Sequence, residues 1–313
     1  MKQLFGLIFC LIVSTQLLAA EYLPIPIPDR TLDVTKNYDS QILKTDSNKR
    51  SQELINELRN YKVLLVPGFY FEFFGRVYDP QMAWFEAHRI NYVFADIDSG
   101  GTVAANSQSI IDEILNSKQK VIIFAQSKGG LDSLEALIQM SNEQIKDHVQ
   151  AYVSLQAPFH GTPLADFAED YYAGPIRFFV ESILGGTRQS ISAMTIQKRL
   201  VYNKTHEQKL KWLQANLPMI HFSSWQPLGF FGLPQEQLIG LGTKMGLTFS
   251  NRFISDLGYK NDGVVPLNSG CLPYSRCVIK TGVDHANTVL DTNNGSFDSI
   301  SMTRTLFSFV LGH

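Results

Sequence analysis

Six short apolar runs, Lys62 to Val66, Tyr92 to Ile97, Lys120 to Ala125, Ala151 to Gln156, Met219 to Ser223 and Cys277 to Thr281, constrain this chain most. Each is continuous rather than alternating, which is the pattern of a strand buried on both faces. Between several of them lie segments of helical period: Ser107 to Asn116, Gly130 to Met140, and a long stretch from Asp166 to about Leu213. A shorter one runs from Ser51 to Tyr61, with Leu54, Ile55 and Leu58 on one side. Strand alternating with helix predicts an α/β fold with a mostly parallel central sheet and helices on both faces.

Composition excludes some partners. The 313 residues carry 27 Lys+Arg against 29 Asp+Glu, a net charge of -2, with 44% hydrophobic and 18% charged residues. That is neither a disordered chain nor one with a basic footprint for a phosphate backbone, so nucleic acid is not an expected partner. The length is ample for a single core, and no staple is required for stability.

The first twenty residues begin with a lysine, run apolar from Leu4 to about Val13 and end in small residues. They read as a signal peptide cleaved near Ala20, implying a secreted or periplasmic protein; an uncleaved anchor is the alternative, with an apolar run short of a full span. Residues 21–50, which open with three alternating prolines, are expected as an extended leader on the surface of a domain spanning 51–313. Once Cys10 has left with the signal, Cys271 and Cys277 remain, six apart. In an oxidising compartment they are expected to form a local disulfide; a metal site would need further ligands.

Ser127 stands between an apolar strand and a helix, in Ala125-Gln126-Ser127-Lys128-Gly129. A nucleophile on such a bend needs small residues two positions before and after it, because strand and helix approach too closely for side chains. The plainer reading is a tight turn with Ser127 as helix cap. A serine hydroxyl needs a base, and that base an orienting acid. Of seven histidines, His285, just after the last apolar run, is the best base, and Asp262 in Asn261-Asp262-Gly263 is the candidate acid. Taken singly, these two are a surface histidine and a solvated turn. In the order Ser127, Asp262, His285 they follow the strand ends of a serine hydrolase.

In four motifs the sequence resembles the α/β-hydrolase superfamily, and within it bacterial secreted lipases and esterases related to the triacylglycerol lipases of Pseudomonas and Burkholderia. The motifs are residues 64–69 (Leu-Leu-Val-Pro-Gly-Phe), 125–130 (Ala-Gln-Ser-Lys-Gly-Gly), 156–166 (Gln-Ala-Pro-Phe-His-Gly-Thr-Pro-Leu-Ala-Asp), and the pair 261–266 with 284–287. Pro67-Gly68 replaces the usual His-Gly, and Ala125-Gln126-Ser127 the usual Gly-His-Ser, so the subfamily is left open. The resemblance implies a Ser127-His285-Asp262 acyl-enzyme mechanism without a cofactor, with the Phe69 and Lys128 amides as oxyanion hole and the Lys128 side chain in solvent. The related lipases hold calcium near the histidine loop; Asn287 and Asp291 are the nearby candidates here, and no metal is expected.

The stretch from about 160 to 213 lies where lipases carry a lid or cap. Its apolar and aromatic residues favour a lipid or ester substrate, with transient contact to a lipid interface if the cover moves about Gly174-Pro175 and Gly185-Gly186. The expected activity is secreted carboxylic-ester hydrolysis, by a triacylglycerol lipase or an esterase. An acyltransferase or a polyester depolymerase would use the same three residues. A non-catalytic binding module on this fold would be expected to lose one of them, and none is missing.

Overall fold

The computed structural model describes residues 25, 31–69, 77–172, 187–227, 247, 250–290 and 297–313. The expected signal peptide lies outside these residues, as does residue 291. Among the described residues no helix is long and apolar enough to cross a membrane.

Seven strands form one sheet: β1 (Leu32–Asp33), β2 (Lys62–Val66), β3 (Asn91–Phe94), β4 (Val121–Gln126), β5 (Val149–Leu155), β6 (Met219–Trp225) and β7 (Arg276–Thr281), in the order β1-β7-β6-β5-β4-β2-β3. Every pairing is parallel. Side chains of a strand alternate between faces, and the two faces have separate cores. Leu64, Val66, Ile123 and Ala125 belong to one. Val63, Leu65, Ile122 and Phe124 belong to the other. Burial on both sides explains why these strands read as unbroken apolar runs.

Helices cover each face. On one lie α1 (Thr35–Ser40), α2 (Lys49–Leu58), α3 (Asp79–His88) and α11 (Ser299–Leu311), which supply Tyr38, Leu54, Phe85 and Phe307. On the other, α4 (Val103–Leu115) packs along α5 (Lys128–Gln139), joined by α6 (Asn142–His148) and α10 (Glu207–Asn216). Helices α7 (Pro163–Asp170), α8 (Arg188–Ser192) and α9 (Ile196–Thr205) lie between β5 and α10.

Two expectations are corrected here. The segment before residue 50 is not simply an extended surface leader: it forms β1 and α1 and buries Val34, Tyr38 and Leu43. Its strand is two residues long and its helix six, too short for either to show a period. The stretch at 160–213, expected as a lid or cap, is in part fixed core. Phe167, Ile191, Ile196, Leu210 and Leu213 are buried, and α10 is the crossover helix entering β6. Residues 173–186, which hold Gly174-Pro175 and Gly185-Gly186, lie outside the described residues.

Candidate active site

In a parallel sheet all strands end at the same edge, and a crevice opens where the chain changes direction between neighbouring strands. Here that place is between β2 and β4: the chain goes outward from β2 to β3, then returns to β4 and proceeds through β5, β6 and β7. Gly68 follows β2, and Ser127 follows β4.

Ser127 has φ 55° and ψ -129°, a conformation that a residue with a side chain adopts only under constraint. The constraint is tertiary. The Ser127 amide donates to Leu155 O at 2.9 Å, tying the bend to β5. A side-chain carbon on Gly68 would stand 2.7 Å from Ser127 Cβ, and one on Gly129 would stand 2.3 Å from Pro67 O. The elbow is wedged against the end of β2, and small residues are the only ones that fit. Ser127 itself is 7% exposed.

Asp262 Oδ2 and His285 Nδ1 are 2.8 Å apart. The other carboxylate oxygen accepts from the Val264 and Val265 amides at 2.9 and 2.8 Å, and the His285 amide donates to Asp262 O at 2.9 Å. Three backbone bonds thus fix an acid that is 1% exposed. The neighbouring Asn261 braces the same loop: its Oδ1 accepts the Gly263 amide, and its Nδ2 donates to Asn251 O and Ser255 Oγ. Asp262 is therefore no solvated turn residue, and His285, with its side chain 12% exposed, is no free surface histidine.

The elbow and the histidine loop touch. Gln126 Nε2, from the residue before Ser127, donates to His285 O at 3.3 Å. Asp284 Oδ1 accepts the Ala286 and Asn287 amides at 2.9 Å each, and Asn287 Oδ1 accepts the Asp284 amide, closing a compact turn. Burial raises the Asp284 carboxyl above its ordinary range.

The Lys128 side chain is not in solvent as expected. Its Nζ lies 3.0 and 2.9 Å from the two Asp132 oxygens, with side-chain exposures of 1% and 0%. Asn106 Nδ2, on α4, donates to the same carboxylate at 2.8 Å. Burial pushes the Asp132 carboxyl up, to about 6, while Lys128 and Asn106 hold it back. Sequence reasoning missed this pair because Lys and Asp four apart are the usual ornament of a wet helix face; only the packing of α4 on α5 excludes the water.

His160 and His221 are structural. His160 Nε2 meets Cys271 O at 3.1 Å, and its imidazole is held down to about 4 by burial. His221 pairs with Ser154 Oγ at 2.6 Å, but both are fully buried. The disulfide expected from spacing is present: Cys271 and Cys277 are bonded, with Cα atoms 6.0 Å apart.

No protein-family model matches the sequence, and no curated protein matches it. Solved structures do. The mature form of lipase BlEst2 from Bacillus licheniformis aligns over 79% of this chain and 92% of its own, with TM-score 0.57 and 21% identity. The metagenomic carboxyl esterase MGS0156 aligns over 81% of this chain and 75% of its own, with TM-score 0.59 and 17% identity. The fold is that of the α/β-hydrolases. In α/β-hydrolases the nucleophile elbow follows a central strand of the parallel sheet, which is where Ser127 stands.

Ser127, Asp262, His285, the loop at 67–69 and the disulfide were singled out from sequence. Three contributors were not: Gln156, Ser224 and Thr288. The available signal was a glutamine at the end of three adjacent strands: Gln126 closing β4, Gln156 after β5 and Gln226 after β6.

Proposed function

We propose that this chain is a serine carboxylic-ester hydrolase, a lipase or esterase, with Ser127 as nucleophile, His285 as general base and acid, and Asp262 as the orienting carboxylate. The observation that carries the reading is the 2.8 Å contact between Asp262 and His285 Nδ1, set beside a backbone-strained Ser127. With Nδ1 held by the carboxylate, Nε2 is the nitrogen left to take a proton.

In this reading Nε2 accepts the Ser127 proton as Oγ attacks the ester carbonyl. The Lys128 amide, at the start of α5, and the Phe69 amide, directly after the Gly68 that abuts Ser127, donate to the developing oxyanion. His285 then protonates the leaving alcohol, water takes the alcohol's place, and a second tetrahedral intermediate releases the acid. Asp262 holds the imidazole from Nδ1, its carboxylate fixed by the two amides of Val264 and Val265.

The fold neighbours carry the names lipase and carboxyl esterase, which supports a lipid or simple ester as substrate. The closer kinship with Pseudomonas and Burkholderia lipases rests on the sequence motifs. Of the two calcium candidates by the histidine loop, Asn287 has its Oδ1 engaged by the Asp284 amide, and Asp291 lies outside the described residues. Export beyond the cytoplasm is favoured by the disulfide and by the apolar N-terminal stretch.

The test is hydrolysis of p-nitrophenyl esters of increasing acyl length by the wild type and by Ser127→Ala. The variant is expected to lose at least about 1,000-fold in kcat, as removal of a triad member does. Equal rates would end the proposal. A fall-off of wild-type kcat/KM beyond short chains would assign an esterase rather than a lipase.

A further inference from the structure

The loop that carries His285 is held within itself by the turn that Asp284 and Asn287 close. Between β7 and residue 290 there is no helix or strand, and yet a general base has to stay within a few tenths of an ångström of its nucleophile. Bonds from elsewhere in the chain fix it at several points, among them the Asp262 carbonyl at His285 N, Gln126 at His285 O and Gln81 at Thr288 O, and one buried side chain grips it on both sides of His285.

Gln156 follows β5 and has φ 50°, in the left-handed region that a residue with a side chain occupies at a cost of about 1–2 kcal/mol. Its amide donates to Phe222 O at 2.7 Å, which turns its side chain across the end of β6. There Nε2 donates to Ser224 Oγ at 2.6 Å and to Asp284 O at 3.0 Å, while Oε1 accepts from Thr288 Oγ1 at 2.9 Å. Ser224 Oγ in turn donates to Val283 O at 2.9 Å. The loop is gripped at 283, 284 and 288, on both sides of His285, by a fully buried side chain and its hydroxyl relay. Gln126 adds the bond to His285 O from the adjoining strand end.

We propose that Gln156 is the positioning residue of His285: its side-chain amide, held in a strained backbone, sets the imidazole against Asp262. The inference rests on the reading of His285 as the general base. A hydrophobic residue at this position would leave Asp284 O and Thr288 Oγ1 without partners inside the protein, and the loop would relax toward water to satisfy them.

Two substitutions separate the side chain from the backbone. Gln156→Leu keeps the volume and removes the amide; Gln156→Gly removes the amide and relieves the positive φ. Both are expected to lower kcat about 100-fold, with KM within about twofold of wild type, when rates are normalised to sites titrated with a fluorophosphonate. Proton NMR gives a readout independent of turnover. The downfield resonance of the His285 Nδ1 proton should be present in the wild type and in Ser127→Ala, and absent from both Gln156 variants.

Gln156→Gly with wild-type kcat would overturn the proposal, as would retention of the downfield proton in Gln156→Leu. Should the wild type hydrolyse no ester while the resonance is lost on Gln156 substitution, the positioning role would stand and the catalytic reading would fall.

Discussion

At the scale of single residues, the sharpest departure from expectation is Lys128. A buried ammonium paired with a buried carboxylate offsets the loss of hydration on both sides, but breaking such a pair leaves one charge stranded. Lys128→Met is therefore expected to cost about 3–5 kcal/mol at pH 8, measured by urea unfolding. The sign of its pH dependence follows from Asp132. Its carboxyl is already raised to about 6, and without Lys128 it rises further, so the folded variant holds a proton that the unfolded chain releases above about 4. The deficit relative to wild type should shrink as pH falls from 8 to 5. Lys128→Met with Asp132→Leu should recover most of the loss at every pH. A deficit that stays constant with pH would show that Asp132 is not the stranded charge. The proposed triad, Ser127, Asp262 and His285, was legible because serine, acid and histidine in that order along the chain suggest a chemistry by their identities alone. Gln156 was not, because nothing in a glutamine announces whether its amide meets water or a carbonyl.

At the scale of elements, legibility followed burial for the strands but not for the helices: α11 went unseen although ten of its residues are buried, because half of those are Ser or Thr and blur the apolar period. Six of the seven strands were visible as apolar runs, and the unseen one, β1, has two residues, both exposed. Helix α6 was missed because its seven residues bury only Ile145; its mark was a cap, with Ser141 and Gln144 each satisfying the other's backbone. What sequence could indicate only as small residues near Ser127 is a packing fact about α5 and β2. A methyl group on Gly129 would lie 2.3 Å from Pro67 O and 2.5 Å from Val66 O, and those are backbone atoms that cannot swing aside. Gly129→Ala must push the start of α5 away from the strand. It is expected to cost about 1–3 kcal/mol in stability and, by moving Ser127 relative to Gly68, at least about tenfold in ester hydrolysis. The two losses are separable, since hydrolysis is measured far below the denaturation midpoint. A variant of lowered stability with unchanged kcat would mean that the elbow is positioned by β5 alone.

At the scale of the whole molecule, the buried histidines His160 and His221 help set how the protein meets acid. His160 ties three regions together: its ring nitrogens meet Cys271 O and Asn203 Nδ2, and its amide donates to Ser269 Oγ. Neutral imidazole suits those partners, one nitrogen donating and the other accepting, and the adjacent Arg199 adds to the penalty for a second positive charge. Burial holds the group down to about 4, against 6.5 in an unfolded chain. Between these values the unfolded state binds the proton and the folded state does not, so the contribution of His160 is intact above 6.5 and is lost as pH falls toward 4. Its size is about 3 kcal/mol, at 1.36 kcal/mol for each unit of pKa. His221, held down to about 3, acts in the same direction. Asp166 and Asp132, both raised to about 6 by burial, act in the opposite one, gaining a proton on folding between about 6 and 4. A raw stability curve mixes all four, and only a difference isolates one. His160→Gln should therefore be markedly less stable than wild type at pH 7, with the gap closing by about 3 kcal/mol at pH 4 as the wild type loses what the variant never had. Urea unfolding of both proteins at half-unit pH steps measures it. A gap independent of pH would mean that His160 titrates alike in the folded and unfolded states, and that burial does not hold its proton off.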